Sequence, residues 1–218
     1  MHLLRNPKAP ALPVATKEYV PEFFTRLLGA LRIYFNTIDS GLAALFGRRG
    51  GRYLEFPYGA FSSTQTQSVA TINTPTRVTL NTTDFASGTS FVAGDGIHVE
   101  QDGIYNLQFS VQVTNSDTQI HDMALWLRKG TGTGTPVDIP YTSSVVSVPG
   151  THGGQPGYHV LAANFYVELG GTDFVELWWS TNSTQVELNT LPPITTPFVN
   201  PGSPSVVVTL SFVSSPAE

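Results

Sequence analysis

This sequence predicts an all-β sandwich or jelly roll carried on a helical stalk. Three observations predict it. From Tyr53 onward the apolar residues recur with period two. About nine short runs of this kind are separated by turn chemistry at roughly 8–12-residue spacing. The first fifty residues, by contrast, hold one apolar seam at helical spacing, and no helical segment intervenes between the later strands.

Residues 1–18 are proline-punctuated and read as a flexible arm. Residues 19–52 read as a helical anchoring or oligomerisation segment. The helix starts near Pro21, a residue tolerated in a first turn, with Glu22 early, where the helix dipole favours a carboxylate. Its seam is Phe24, Leu28, Leu31, Phe35, Ile38, Leu42 and Leu45, about three heptads. Val20, Phe23, Leu27 and Tyr34 widen the stripe, so three uses stand side by side: self-association, docking on another protein, and packing on the head. Gly29 and Gly41 weaken the helix, and a break is expected near Asp39-Ser40-Gly41. It ends by Gly47, and the Gly-rich run after Arg48-Arg49 marks the boundary.

Residues 53–218 form the head. Strands are expected over 58–67, 76–81, 97–100, 104–114, 120–128, 139–148, 158–169, 174–180 and 205–213. The alternation is cleanest in Leu107, Phe109, Val111 and Val113. Gly94-Asp95-Gly96, Gln101-Asp102-Gly103, Asn115-Ser116-Asp117 and Gly170-Gly171 supply turns. The long irregular stretches are 130–136, 149–157 and 181–204, the last holding Pro192, Pro193, Pro197, Pro201 and Pro204.

Charge divides the same way. Residues 1–52 carry eight Lys/Arg and three Asp/Glu, a net +5; residues 53–218 carry three and thirteen, a net −10. An acidic head is repelled by phosphates, which argues against nucleic acid as its ligand. Arg48, Arg49 and Arg52 form the one local basic run, a candidate docking charge, although a solvated helix end is the stronger explanation. Glu22, Arg26, Arg32, Asp39 and Asn36 interrupt the apolar stretch, so membrane insertion is not expected.

No enzyme chemistry is legible. The chain has no cysteine, which excludes disulfides, thiolate metal sites and thiol nucleophiles. His2, His98, His121, His152 and His159 show no ligand spacing; His121 and Asp122 point to opposite faces of a strand. The Gly130–Pro136 run has no lysine and no following helix, so it is no phosphate cradle. Gly94-Asp95-Gly96 and Asp102-Gly103 carry oxygens that suit calcium, but turn formation accounts for them. No cofactor is expected. Trp178 and Trp179 are adjacent on a strand, so one faces inward and one outward; with Trp126 they invite a glycan platform or interface burial.

Three segments carry a resemblance: Tyr58-Gly59-Ala60-Phe61-Ser62, then Gly96-Ile97-His98-Val99 followed by Gly103-Ile104-Tyr105-Asn106-Leu107, then the closing run 205–213. Their order resembles the tumour-necrosis-factor-like jelly roll, shared with the globular head of the first complement component, over residues 58–213. The resemblance implies a ten-stranded jelly roll, trimeric about a threefold axis, with the opening and closing strands paired in the inner sheet. It lacks the collagen repeat and cysteines of secreted animal members. The segment Leu31-Arg32-Ile33-Tyr34-Phe35-Asn36 resembles leaders on tailed-bacteriophage virion proteins, which also use such heads. The resemblance thus implies a virion protein: a homotrimer anchored on another structural protein, serving as capsid decoration, cement or head fibre. The alternatives are a fibre tip that binds a host-surface glycan or receptor, and a secreted trimeric signalling ligand. Strand parity puts the loops 149–157 and 181–204 at the end opposite the stalk. That makes His152, Gln155, Asn182, Pro193 and Asn200 candidate binding residues.

Overall fold

The computed structural model describes residues 8–14, 18, 20–46, 56–94, 96–196 and 199–216. The chain divides into two compact units, Met1–Glu55 and Phe56–Glu218. The basic run Arg48, Arg49 and Arg52, the predicted stop at Gly47 and the turn residue Asp95 lie outside the described residues.

The first unit is built on α1, Pro21–Phe46, a continuous 26-residue helix. At 1.5 Å per residue it is about 39 Å long. The expected break at Asp39-Ser40-Gly41 does not occur. Single glycines cost about 1 kcal/mol each but leave the hydrogen-bond ladder intact. Thr25 and Thr37 turn their hydroxyls back onto the carbonyls of Pro21 and Ile33, at 3.1 and 2.8 Å.

The described residues of the second unit form fourteen strands. Ten of them make the frame. β1 (Tyr58–Ser63), β4 (Thr82–Ser87), β7 (Gly103–Asn115), β11 (Gly157–Leu169) and β14 (Val206–Ser214) form one sheet, ordered β4-β1-β14-β7-β11. β5 (Thr89–Val92), β6 (Gly96–Val99), β8 (His121–Thr131), β10 (Ser144–Val148) and β12 (Asp173–Thr181) form the other, ordered β5-β6-β12-β8-β10. Short strands fill the margins: β2 (Gln67–Ser68), β3 (Thr76–Arg77), β9 (Val137–Asp138) and β13 (Val186–Leu188). All pairings are antiparallel. Two sheets whose neighbours come from distant parts of the chain are the double Greek key of a jelly roll.

The boundaries differ from the period-two reading in instructive places. The segment 58–67 stops at Ser63, and of the segment 139–148 only Ser144–Val148 is strand, after a turn at Pro140-Tyr141. β4, β5, β9 and β13 were not expected. β4 is polar and mostly exposed, so its sequence carries no alternation, and β5 is only four residues, too short for its alternation to be read. β13 is only three residues long.

Between the sheets lie Phe61, Tyr105, Leu107, Val111, Leu125, Leu127, Trp179, Leu188 and Leu210, all essentially inaccessible. One cross-strand pair shows how tight this packing is. Gly130 stands opposite Phe174, and a Cβ on Gly130 would come within 2.2 Å of that ring. The glycine is there because the aromatic ring covers it.

Register fixes which loops share an end. β1 runs away from the chain's entry at Phe56-Pro57, and β14 returns antiparallel, Ser63 opposite Val206 and Tyr58 opposite Ser211. β7 ends with Asn115 opposite Gly157, where β11 starts. β12 ends with Thr181 opposite Met123, near the start of β8. The loops 116–120, 149–156, 182–185 and 189–205 therefore lie at the far end of the head. The turns 100–102, 132–136 and 170–172 lie at the entry end.

Candidate functional site

The most distinctive surface of the head is the outer face of the sheet β4-β1-β14-β7-β11. The alternation that buries Leu107, Phe109 and Val111 turns Asn106, Gln108, Ser110 and Gln112 outward. Register lines them up across the strands. Ala162, Ser110, Val207 and Ser62 form one row; Asn164, Gln108, Thr209 and Ala60 the next; Tyr166, Asn106, Ser211 and Tyr58 a third. None of these twelve residues is charged, although the head carries thirteen carboxylates. Carboxylates border these rows: Glu168, Glu187 opposite Thr114, and Asp84, whose Oδ1 accepts from the Ser62 hydroxyl at 3.3 Å. Tyr58, Phe85, Tyr158, Val160 and Tyr166 are exposed large apolar side chains on it. A shallow open groove crosses its centre, lined by Gln108, Ser110, Ala162, Asn164, Val207 and Thr209.

The far end is a set of tied loops. His152 and Gln155 form a closed hairpin, each N–H donating to the other's carbonyl at 2.9 and 3.1 Å. Gly153 and Gly154 between them have φ of +59° and +79°, which that two-residue turn requires. The 189–205 segment is a second hairpin, bridged at Leu191–Ser203 and Ile194–Asn200. Pro193 is exposed and Asn200 half-buried. Asn182 is exposed but committed, its Oδ1 accepting from the Asp122 N–H at 3.1 Å. Of the five residues expected there, His152, Gln155 and Pro193 present side chains to solvent, while Asn182 braces β8. Sequence reasoning missed the pair beside them. His121 Nε2 sits 2.7 Å from Asp117 Oδ2, four residues apart across the 116–120 turn rather than along a strand.

That pair gives the far end an acid response. The hydrogen bond from His121, then that from the Thr118 N–H, holds the Asp117 carboxyl below the usual carboxylate range. A carboxylate depressed by folding adds stability that is present above its unfolded pKa and lost as pH falls through the folded one. Asp117→Asn is therefore expected to lower the melting temperature at neutral pH and to flatten its decline between about pH 4 and 2. An unchanged acid limb would show that the contact does not contribute.

The turn between β9 and β10 carries the most exposed aromatic side chain. Tyr141 is wholly exposed and has φ of +64°. A bulky residue pays about 1–2 kcal/mol to sit in that region. The turn is nonetheless fixed: the Thr142 hydroxyl donates to the Ile139 carbonyl at 2.8 Å and accepts the Leu127 N–H at 3.1 Å. Tyr141→Gly is expected to raise the urea midpoint by an amount equivalent to about 1 kcal/mol. A fall would mean that the ring stabilises the fold.

The outer face of the second sheet is occupied by a braced polar chain. Trp126 and Arg128 both donate to Asp138 Oδ1, at 2.7 and 2.6 Å. These bonds hold that carboxyl below the usual range, the one from Arg128 contributing most. The Arg128 guanidinium lies 4.0 Å from the centre of the Trp178 ring. Trp178 donates to Glu176 Oε2 at 2.7 Å, and Arg77 donates to Glu176 Oε1 at 2.9 Å. Trp178 thus faces outward and Trp179 inward. Arg128 already covers a face of the Trp178 ring, which counts against that tryptophan as an open glycan platform.

In the first unit, residues of the arm and one flank of α1 line a shallow groove: Lys8, Pro10, Ala30, Tyr34 and Thr37. On the other flank Phe24, Leu28, Phe35 and Leu42 are 43–64% exposed. Leu31, Ile38 and Leu45 of the same seam are half-buried. No described helix is long and apolar enough to cross a membrane. Among the described residues, no group of three or more His, Asp or Glu side chains is placed to hold a metal ion.

No family model matches the chain, and no curated protein does. Many solved structures are similar to it, two of which illustrate the likeness. One is Eiger TNF from S. frugiperda, 10% identical over 76% of this chain and 97% of that one, with a TM-score of 0.49. The other is murine APRIL, 12% identical over 73% and 100%, with a TM-score of 0.46. The chain's own strand order defines its class: a jelly-roll head preceded by an amphipathic helix.

Proposed function

We propose that this protein is a non-enzymatic structural component of a tailed-bacteriophage virion, a homotrimer whose jelly-roll heads pack through the outer face of the sheet β4-β1-β14-β7-β11. Its helix anchors the trimer to another virion protein. The uncharged face carries this reading. A head with a net charge near −10 repels its own copies wherever carboxylates meet. This face presents ten uncharged side chains from its three central rows, Ala60 and Ser62 being buried, together with several exposed aromatics, so copies approach there without burying an unpaired charge. Support for anchoring comes from the exposed Phe24, Leu28, Phe35 and Leu42 on a helix within the segment 1–52, whose net charge of +5 is opposite to that of the head. Light scattering at micromolar concentration is expected to give three times the 23.5 kDa chain mass. A concentration-independent monomer would refute the assembly. Crosslinking within intact particles tests the anchoring partner.

A second reading, a tip that binds a host-surface glycan or protein, is favoured by Tyr141. A rigid turn that bears backbone strain to hold a ring in solvent suits an anchor for a partner's pocket. In that reading Tyr141→Gly loses cell binding while the fold gains stability. Retained binding would remove the turn from the contact.

A further inference from the structure

β3 and β6 lie on the same flank of β12 and stop short of each other. β3 pairs with Trp178 and Trp179, and β6 with Phe174 and Val175. Between them the sheet opens into a cavity of about 170 Å³. Ile97, Val175 and Leu177 line it from one sheet, Leu107 and Val208 from the other, with Phe91 and Leu80 also in its wall. Arg77 forms a crossbar between the two short strands, its Nη1 donating both to Glu176 Oε1 and to the Gly94 carbonyl. The crossbar is itself braced, because Trp178 holds the second oxygen of Glu176. Gly94 and Gly96, with φ of +91° and +87°, form the turn on the other side.

We propose that this cavity is a binding site for a small, neutral, apolar molecule of the size of one aromatic ring. Volume sets the size: an apolar protein cavity of about 150 Å³ is enough to take benzene. The lining sets the chemistry, since most of the side chains are aliphatic or aromatic, Arg77, Thr79 and Glu176 apart, and two different sheets supply them. The charges set the neutrality. Arg77 and Glu176, the charged residues described in the lining, are paired with each other. The guanidinium favours a π face over a saturated chain. Entry requires Arg77 to release Gly94, a swing of one long side chain about a glycine turn.

Toluene is the probe, titrated into the full chain and followed by the methyl NMR signals of Ile97, Leu107, Val175, Leu177 and Val208. The expected result is a saturable shift of these five residues and a dose-dependent rise in melting temperature. Val208→Phe, which fills the cavity, is expected to abolish both. Arg77→Ala, which removes the crossbar, is expected to keep the methyl shifts and speed exchange at least several-fold. Should Val208→Phe not fold, the wild type and Arg77→Ala still decide. The absence of a saturable shift in the wild type at toluene saturation would overturn the proposal. So would the same shifts persisting in folded Val208→Phe, or exchange no faster in Arg77→Ala.

Discussion

Trp179→Ala is expected to destabilise the head by about 3–5 kcal/mol, the range for truncating a buried large aromatic. That is a large part of the 5–15 kcal/mol a typical domain possesses. Trp179 is fully inaccessible, and β12 places it against Leu125 of β8 on one side and Thr76 of β3 on the other. It belongs to the single cluster formed by both sheets. Truncation would leave a hole that a β-sandwich cannot close, because ladder hydrogen bonds fix the strand positions. Trp179→Phe separates packing from polarity. The buried indole N–H has no hydrogen-bond partner among the described residues. Phenylalanine keeps most of the ring and removes a donor that burial penalises. It is expected to cost less than half as much as alanine. Urea unfolding followed by far-UV circular dichroism measures both variants. Equal losses would mean that the indole N–H is satisfied and matters.

The pattern of what the sequence discloses follows from burial. Long strands with one face in the core announce themselves: β7, β11 and β14 alternate because the sandwich forces every second side chain inward, while β12 is apolar and buried nearly throughout. Their register then orders the loops, since antiparallel pairing leaves no freedom about which ends meet. The marginal strands are silent. β4 reads Thr-Thr-Asp-Phe-Ala-Ser and buries little, so hydrogen bonding to β1 holds it rather than hydrophobic period, and β5, Thr-Ser-Phe-Val, turns Thr89 and Phe91 inward but is too short to show a period. The outer face was half legible. The polar alternates Asn106, Gln108, Ser110 and Gln112 are plain in the sequence, but only pairing with β11 and β14 shows that three strands contribute one uncharged surface. Tyr141 was not legible, because composition does not encode φ and Pro140 signals only a turn. The His121–Asp117 contact was missed because it crosses a turn, where strand parity does not apply.

Gln108→Arg is expected to convert the proposed trimer into a 23.5 kDa monomer while leaving the fold of each head intact. Gln108 lies in the middle row of the uncharged face, between Asn164 of β11 and Thr209 of β14. It is exposed in the single chain. An arginine there costs an isolated head little, since substitutions at exposed positions away from special features fall within about 0.5 kcal/mol. In the assembly the same change acts once per copy, and the guanidinium groups gather around one axis with no carboxylate within the three central rows. Each would lose water without gaining a partner, at a cost of several kcal/mol per ion. A trimer multiplies that cost by three, which exceeds what the contacts of one small groove supply. Thr184→Arg is the control. It adds the same charge at an exposed position in the far-end loops, outside the proposed contact, and should leave the mass trimeric. Sedimentation velocity distinguishes the outcomes directly. A Gln108→Arg protein that stays trimeric would show that this face points to solvent in the assembly. The copies would then have to meet elsewhere, with the helical seam of Phe24, Leu28, Phe35 and Leu42 the next surface to break.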